Sequence, residues 1–231
     1  MRKLALPGLA IAGAVLLAAP ARTPAEQALD RQDRLALERL VQQAEEAAQK
    51  GPADPAAQYN LAAVSSTMAQ LAMELGDKAA VRQVAQSGIQ AARKALAAKP
   101  NSAEYHRILG TLCGQIIPAD LLAALRYGRC ALDSLNKAVQ LDPNSPMVWL
   151  SRGVGNYYLP PAFGGGVDTA IKDLQKALEL DPRLADGHLW LGIALRKAKR
   201  NEEARRAIAK SLELNPGRVW ARQQLEKTPR Q

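Results

Sequence analysis

Apolar residues recur at helical spacing along most of this chain. In residues 25–50 they fall on one face of an α-helix, at Leu37, Leu40, Val41, Ala44 and Ala48. Gly51-Pro52 ends that helix. No convincing run alternates apolar and polar residues, as a half-buried strand would. The pattern predicts an all-α protein.

One stretch repeats at a fixed interval near the C-terminus. Lys176–Pro182 reads KALELDP, and Lys210–Pro216 reads KSLELNP. A fixed period of this length is typical of helical repeats, in which each unit is too small to bury its own apolar face and stacks on its neighbours. Proline ends the second helix of a repeat, because it supplies no N–H and disfavours helical geometry in the residue before it.

The repeat resembles the tetratricopeptide repeat (TPR) family. The family prefers an aromatic residue, a Leu-Gly pair, small residues where its two helices cross, an apolar residue and a final proline. Counted from Ala185, the matching residues are His188, Leu191-Gly192, Ala204, Ile208, Ser211 and Pro216. The resemblance implies an all-α, right-handed TPR superhelical solenoid of about four helical hairpins with terminal capping helices.

The repeat landmarks also divide the chain. We predict a signal peptide over residues 1–21 and a TPR-repeat domain over 22–231. Its units are expected at about 55–100, 103–143, 146–182 and 185–216, with a capping helix over 218–227. The unit-ending prolines grow closer toward the C-terminus, so we expect the extra residues of the earlier units at the tips of their hairpins.

The N-terminal residues have the pattern of an export signal. Arg2 and Lys3 precede an apolar stretch from Leu4 to Ala19, and Ala19-Pro20-Ala21 is an A-x-A cleavage site. An uncleaved membrane anchor is the alternative, but the stretch is shorter than the ~20 residues that span a bilayer. We therefore expect a periplasmic or secreted protein without a transmembrane segment after cleavage.

The positive charge of the chain is concentrated at its C-terminal end. The net charge is +9, and residues 183–231 hold 12 basic against 5 acidic residues. A well-solvated polar face is one interpretation. The other is a basic patch for an acidic partner, such as anionic lipid head groups or an acidic protein surface; export disfavours nucleic acid. The patch comprises Arg196, Lys197, Lys199, Arg200, Arg205 and Arg206.

The sequence contains no motif for catalysis, a metal or a cofactor. Neither H-E-x-x-H, C-x-x-C, G-x-S-x-G nor a phosphate-binding loop is present. His106 and His188 occupy the repeat position that usually holds an aromatic residue, which favours a structural role over a catalytic one. Gly164-Gly165-Gly166 is interpreted as turn-forming rather than anion-binding, because it lies between helices. We predict no enzyme activity and no cofactor.

Cys113 and Cys130 are the two cysteines of the chain, and they fall on neighbouring antiparallel helices. An exported protein can oxidise such a pair. Cys130 can also point away from the helix crossing, and we favour two buried free thiols over a disulfide. A metal site is the remaining alternative.

The longest hairpin tip suggests a binding site. It carries Tyr157, Tyr158, Pro160, Pro161 and Phe163, with Ile116 and Ile117 expected beside it on the neighbouring tip. Rigid aromatic side chains on a proline-stiffened loop bury large apolar areas with little loss of order. In the alternative, which we favour, Phe163 folds inward and fills the gap that the longer tip opens.

The inner surface of the solenoid offers a second set of groups. The carboxylate clamp known from one TPR class is absent, and only Arg107 and Thr111 carry suitable groups toward the concave side. The family resemblance implies a non-enzymatic scaffold or adaptor for protein or peptide partners, here in a bacterial cell envelope. The alternative is a periplasmic small-ligand-binding protein, because the extended tip is similar to TPR components of TRAP-type solute transporters.

Overall fold

The computed structural model describes residues 22–119 and 121–230. The predicted signal peptide therefore lies outside the described residues. Within them the chain forms eleven α-helices, two short 3-10 helices (Ile117–Ala119 and Pro161–Phe163) and no β-strand. The α-helices are α1 (Pro24–Asp30), α2 (Arg34–Lys50), α3 (Pro55–Leu75), α4 (Lys78–Ala98), α5 (Ala103–Ile116), α6 (Leu121–Leu141), α7 (Pro146–Tyr158), α8 (Val167–Leu180), α9 (Ala185–Lys197), α10 (Asn201–Leu214) and α11 (Val219–Glu226).

Consecutive helices pack as four hairpins that stack on one another. The hairpins are α3/α4, α5/α6, α7/α8 and α9/α10, and each also contacts the next. Helices α1 and α2 cover the first hairpin, and α11 covers the last. The prediction of an all-α solenoid of four hairpins with terminal capping helices is confirmed. None of the described helices is long and apolar enough to cross a membrane.

Polar side chains start several of these helices. Asp54 accepts a hydrogen bond from the amide of Ala56 (2.9 Å), and Asp77 accepts one from Ala80 (3.0 Å). Such caps satisfy amide donors in the first turn, which has no helical partner for them. Asp77 follows Gly76, which ends α3 in the left-handed conformation (φ 76°). A two-residue turn therefore suffices between two 21-residue helices.

One hydrogen bond recurs at every junction between units. A side chain in the first turn of each new helix bonds the carbonyl of the proline six residues earlier, at 2.7–3.4 Å. Because a carbonyl oxygen only accepts, each histidine in the set donates from Nε2. This bond is the structural role of the two histidines. The pairs are Gln58–Pro52, His106–Pro100, Trp149–Pro143, His188–Pro182 and Arg222–Pro216.

Cys113 and Cys130 form a disulfide between α5 and α6. The prediction of two buried free thiols was therefore wrong. A side chain at Gly110 would stand 2.7 Å from Leu135 on α6, so the two helices approach very closely there. This approach brings the cysteine Cα atoms to 6.0 Å from each other. Such a separation lies within the range that a disulfide spans.

The glycines after Phe163 form the turn into α8. Gly164 and Gly166 have φ values of 83° and 105°, which glycine adopts without strain. A side chain on Gly165 would stand 2.5 Å from the carbonyl oxygen of Leu159. The interpretation of these residues as turn-forming is confirmed.

Candidate functional site

The inner surface of the solenoid lines a cavity of about 650 Å³. The first helices of the four hairpins contribute most of its wall, and the rest comes from α1 and the two residues before it, α2, α6 and α11. Ligand cavities in proteins typically measure about 300–1,000 Å³. The cavity is thus large enough for a small molecule or a short peptide segment.

The two ends of the solenoid meet, so that the cavity lies inside a ring of helices. The amide of Asn215 donates to Asp30 (3.0 Å), and the amides of Gln32 and Gln223 bond each other (3.2 Å). Arg22 lies 3.7 Å from Asp186 at the start of α9. The described residues therefore form a closed ring rather than an open superhelix.

Arg218 lies at the centre of this closure. Its side chain is fully buried and donates to both oxygens of Glu74, whose side chain is 1% exposed, and to the carbonyl of Leu29 (3.1 Å). Asp30 and Asp186 lie 3.8 Å from its Nε atom. Burial raises the pKa of Glu74 above its usual value, against the bonds from Arg218. We call Arg218 and Glu74 the ring latch.

One wall of the cavity is aromatic. Trp190 packs edge-on against Trp220 (5.3 Å between ring centroids) and against Tyr158 (6.1 Å). All three side chains face the cavity. Tyr157 packs on Tyr158 and Trp190 at 4.9 and 5.9 Å. Tyr158 lines the cavity, and Tyr157 packs behind it against the same core, so neither side chain belongs to the exposed tip. Burial raises the pKa of both tyrosines.

Another part of the wall carries a polar network around Arg107. Arg107 donates from Nε and Nη2 to Glu104 (2.6 and 2.5 Å) and from Nη1 to Ser151 (3.1 Å). The Tyr59 hydroxyl donates to the same carboxylate at 2.6 Å. Burial raises the pKa of Glu104, but the bonds from Arg107 and Tyr59 outweigh it, so the pKa lies below its usual value.

Arg107 and Thr111 both line the cavity, where the sequence analysis expected them. The Thr111 hydroxyl donates to the carbonyl of Arg107 at 2.8 Å. Its oxygen therefore retains the capacity to accept a bond. The charge of Arg107 is neutralised by Glu104. The site thus presents polar groups without a strong positive field.

The proline-rich tip is separated from these inner groups. Phe163 is 65% exposed, and Pro160 and Pro161 are exposed beside it. The prediction that Phe163 fills a gap is wrong, because the 3-10 turn Pro161–Phe163 turns its side chain outward. Ile116 is 1% exposed in the core, which contradicts its assignment to a surface site, and Ile117 is partly buried against the same core.

The predicted basic patch serves partly to hold α11. Arg196 donates to the backbone and side-chain oxygens of Gln224 (3.1 and 2.7 Å), and Arg205 donates to the carbonyls of Leu225 and Thr228 (3.1 and 2.7 Å). Carbonyls at a helix C-terminus need such donors.

The other four basic residues of the patch stay on the surface. Arg200 pairs with Glu203 at 2.6 Å and Arg206 with Glu202 at 3.8 Å. Lys197 donates to the carbonyl of Tyr157 (3.2 Å), and Lys199 is exposed. A surface for an acidic partner stays a prediction for these residues.

The ring latch and most of the cavity wall do not follow from the sequence pattern. One signal was available: Glu74 is the only charged residue of the 21-residue helix α3. A lone carboxylate on an otherwise uncharged helix indicates a buried partner. Nothing local to Arg218 identifies it as that partner. The missed lining residues include Asn60, Ala63, Thr67, Gln70, Trp190 and Trp220.

Comparisons with known proteins agree with this architecture. Residues 23–159 match the family model described as regulator of microtubule dynamics protein 1-3. Residues 164–199 and 185–218 match TPR repeat models. Proteins with these repeats generally serve as scaffolds that bind protein or peptide partners on a concave surface.

Similar proteins were found among both sequences and structures. A small glutamine-rich tetratricopeptide repeat-containing protein 2 of Mycosarcoma maydis is 33% identical over 95 residues, which are 41% of this chain and about a quarter of that protein. The crystal structure of a thermophilic TPR protein of Thermus thermophilus has the same fold, with a TM-score of 0.64 at 22% identity, over 88% of this chain and 97% of that one. Because the first family model covers more than half of its length, this chain belongs to the family of regulator of microtubule dynamics protein 1-3, and it is built from tetratricopeptide repeats.

Proposed function

We propose that the protein is an exported adaptor of the bacterial cell envelope that binds a segment of a partner protein inside its ring. The cavity of about 650 Å³ inside the ring carries this proposal. Its wall comes from the inner helices of all four hairpins, which is the surface that repeat proteins use for binding.

A polar stripe along α3 suits an extended peptide. Asn60, Thr67 and Gln70 face the cavity from successive turns of this helix, with Ala63 between them. A peptide in extended conformation has backbone N–H and C=O groups that need partners. Amide and hydroxyl side chains can both donate and accept, so this stripe can bond such a backbone whatever its side chains.

Two observations support export. The N-terminal residues have the charged start, apolar middle and A-x-A site of a signal peptide. Cys113 and Cys130 form a disulfide, a bond that persists in oxidising compartments such as the periplasm. N-terminal sequencing of the protein from separated cell fractions tests this part: a start near residue 22 in the periplasmic fraction supports export, and an intact Met1 in the cytoplasmic fraction contradicts it.

Site-specific crosslinking tests the binding surface. A photoreactive amino acid at Thr67 should capture a partner in envelope extract, whereas the same group at exposed Lys94 on α4 should not. Ala63→Trp, which fills the cavity, should abolish capture, and the matched change Ala79→Trp on the exposed side of α4 should not. Equal capture from Thr67 and Lys94 would place binding outside the ring.

The aromatic wall favours a second candidate, a small-ligand-binding protein associated with a solute transporter. Tyr158, Trp190 and Trp220 give the cavity an apolar lining, as in small-molecule sites. Native mass spectrometry of protein from the envelope distinguishes the two functions. A retained small molecule that is lost in Ala63→Trp supports the ligand function, and an empty cavity with a captured protein supports the adaptor.

An exported protein cannot take part in microtubule dynamics, the process that its family is named after. Microtubules are cytoplasmic filaments, and a periplasmic protein does not meet them. We therefore carry over from the family a binding scaffold and not a microtubule function. No enzyme activity is proposed for the cavity.

A further inference from the structure

The turns between paired helices form one continuous edge of the ring, which we call the turn rim. It comprises the α1/α2, α3/α4, α5/α6, α7/α8 and α9/α10 turns. Arg34 bonds Asp77 across the first two turns at 2.9 Å, and Lys197 bonds the carbonyl of Tyr157 across the last two at 3.2 Å. The Gln32–Gln223 bond joins the first of these turns to α11.

Exposed apolar side chains are concentrated on this rim. Among the described residues, six large apolar side chains are exposed, and only Met147 (37%) lies at the opposite edge, in the first turn of α7. The other five lie in or beside four different turns of the rim. They are Leu35 (66%), Leu75 (49%), Leu122 (73%), Leu125 (84%) and Phe163 (65%).

Cationic side chains accompany the most exposed of them. Arg126 and Arg129 follow Leu122 and Leu125 on the outer stripe of α6, and the Arg129 side chain is 92% exposed. Exposed Lys197 and Lys199 lie on the turn that follows Phe163 around the ring.

Acidic groups are fewer among the residues of this sector that the structure describes. Asp133 lies 4.0 Å from Arg129, and Asp168 is exposed at the start of α8. Glu203 is paired with Arg200 and Glu202 with Arg206. Surfaces that enter the interface of an anionic bilayer typically combine exposed apolar side chains with flanking arginine and lysine.

We propose that the turn rim docks on an anionic phospholipid surface. Phe163, Leu122 and Leu125 enter the interfacial layer, while Arg126 and Arg129 pair with lipid phosphates. The apolar side chains are spread over four turns of a ring. A bilayer fits them better than a protein partner does, because a flat surface can contact all four turns at once. The prolines before Phe163 stiffen its loop, so little order is lost on docking. This inference is independent of what the cavity binds.

An environment-sensitive fluorophore reports where the ring meets the bilayer. The full chain is labelled through Phe163→Cys on the rim or, as control, through Ala98→Cys at the exposed far end of α4, outside the cavity wall; the native cysteines are in the disulfide. Vesicles of phosphatidylcholine with phosphatidylglycerol should shift the emission of the label at 163 to the blue and leave the label at 98 unchanged. Equal shifts at both positions, or no shift at either, would overturn the proposal. This includes the case in which the protein binds the vesicles through residues 1–21 alone.

Charge variants test the arginines by vesicle titration of the same labelled protein. Arg126→Gln with Arg129→Gln should weaken binding about thirtyfold, at ~1 kcal/mol per arginine near an anionic surface. The matched pair Arg93→Gln with Lys94→Gln, exposed near the other end of α4, should change it less than threefold. An equal loss of vesicle affinity in both double variants would show that only the net charge matters, and it would overturn the proposal. Binding unaffected by anionic lipid content, with Phe163 crosslinking to a protein instead, would assign the rim to a protein partner.

Discussion

Lys199 closes the turn between α9 and α10 in the left-handed conformation, with φ of 61°. The Lys199 amide donates to the carbonyl of Arg196, and the Arg200 amide donates to the carbonyl of Leu195. Helices that end at a glycine are closed by similar bonds. A residue with a Cβ is strained there by about 1 kcal/mol. We expect Lys199→Gly to raise the free energy of unfolding by about 0.5–1 kcal/mol, measured by urea denaturation.

Lys199→Ala is the control for this substitution. It removes the same charge but retains the Cβ, so it should not stabilise the protein. If alanine stabilises as much as glycine, the benefit comes from removing a charge beside Lys197 and Arg200 and not from the backbone.

Glu104 makes the stability of the ring depend on pH on the acid side. Its folded-state pKa is lowered by Arg107 and Tyr59, against burial. A carboxylate with a lowered pKa stabilises the fold above its unfolded pKa, and this contribution is lost as the pH falls through the folded pKa. We expect Glu104→Gln to reduce stability near neutral pH and to flatten its decline below about pH 4.5.

Thermal denaturation at a series of pH values measures this effect. Glu213→Gln is the control, because its carboxylate forms an exposed pair with Lys210 and is 65% exposed. The interpretation fails if Glu104→Gln retains the full acid-side slope of the unchanged protein.

At the scale of helices, two glycines with opposite surroundings show where close packing is required. A Cβ at Gly192 would stand 2.4 Å from Ile208 and 2.8 Å from the Ala204 carbonyl on α10. A Cβ at Gly128, within α6, would meet nothing within 4 Å. We expect Gly192→Ala to destabilise by about 1–3 kcal/mol through overpacking.

Gly128→Ala should instead stabilise by about 0.5–1 kcal/mol, because alanine loses less backbone entropy in a helix. Both changes add one methyl group, so their opposite signs in denaturant unfolding isolate the helix crossing. Equal effects would show that the crossing of α9 and α10 tolerates a side chain.

The helices were predictable because their determinants are local. Each terminal proline stops a helix by its own geometry, and small residues such as Gly192 are required wherever two paired helices touch. The bond from residues such as His106 to the preceding unit's proline also spans only six residues. The direction of Cys130 was not predictable, since it depends on how α5 and α6 rotate against each other at their crossing. The direction of Phe163 was not predictable either, because it depends on the short 3-10 turn that carries it.

At the scale of the whole molecule, the sequence predicted the solenoid but not the ring. Arg107 and Thr111 could be placed on the inner surface from repeat spacing alone. Arg218, however, meets Glu74 across 144 residues, and no periodic pattern relates them. Closure depends on the accumulated twist of all four hairpins, so the cavity appears only in three dimensions.

The ring latch should control both stability and shape. Arg218→Met leaves Glu74 buried without its cation, and breaking a buried ion pair in this way costs about 3–5 kcal/mol. The substitution removes the ion pair with Glu74 on α3 and the hydrogen bond to the Leu29 carbonyl on α1, both of which hold α11 against the N-terminal helices. We therefore expect lower stability in urea and a larger radius of gyration by small-angle X-ray scattering, as the ring opens.

Two further variants separate the latch from simple loss of an arginine. Arg222→Met changes an exposed residue of the same helix and should cost less than about 0.5 kcal/mol. Arg218→Met combined with Glu74→Met removes both charges, so it should be more stable than Arg218→Met alone, since an apolar pair leaves no buried carboxylate to solvate. If Arg218→Met is destabilised but scatters as the unchanged protein does, the contacts of Asn215 and Gln223 hold the ring, and the latch contributes stability without controlling closure.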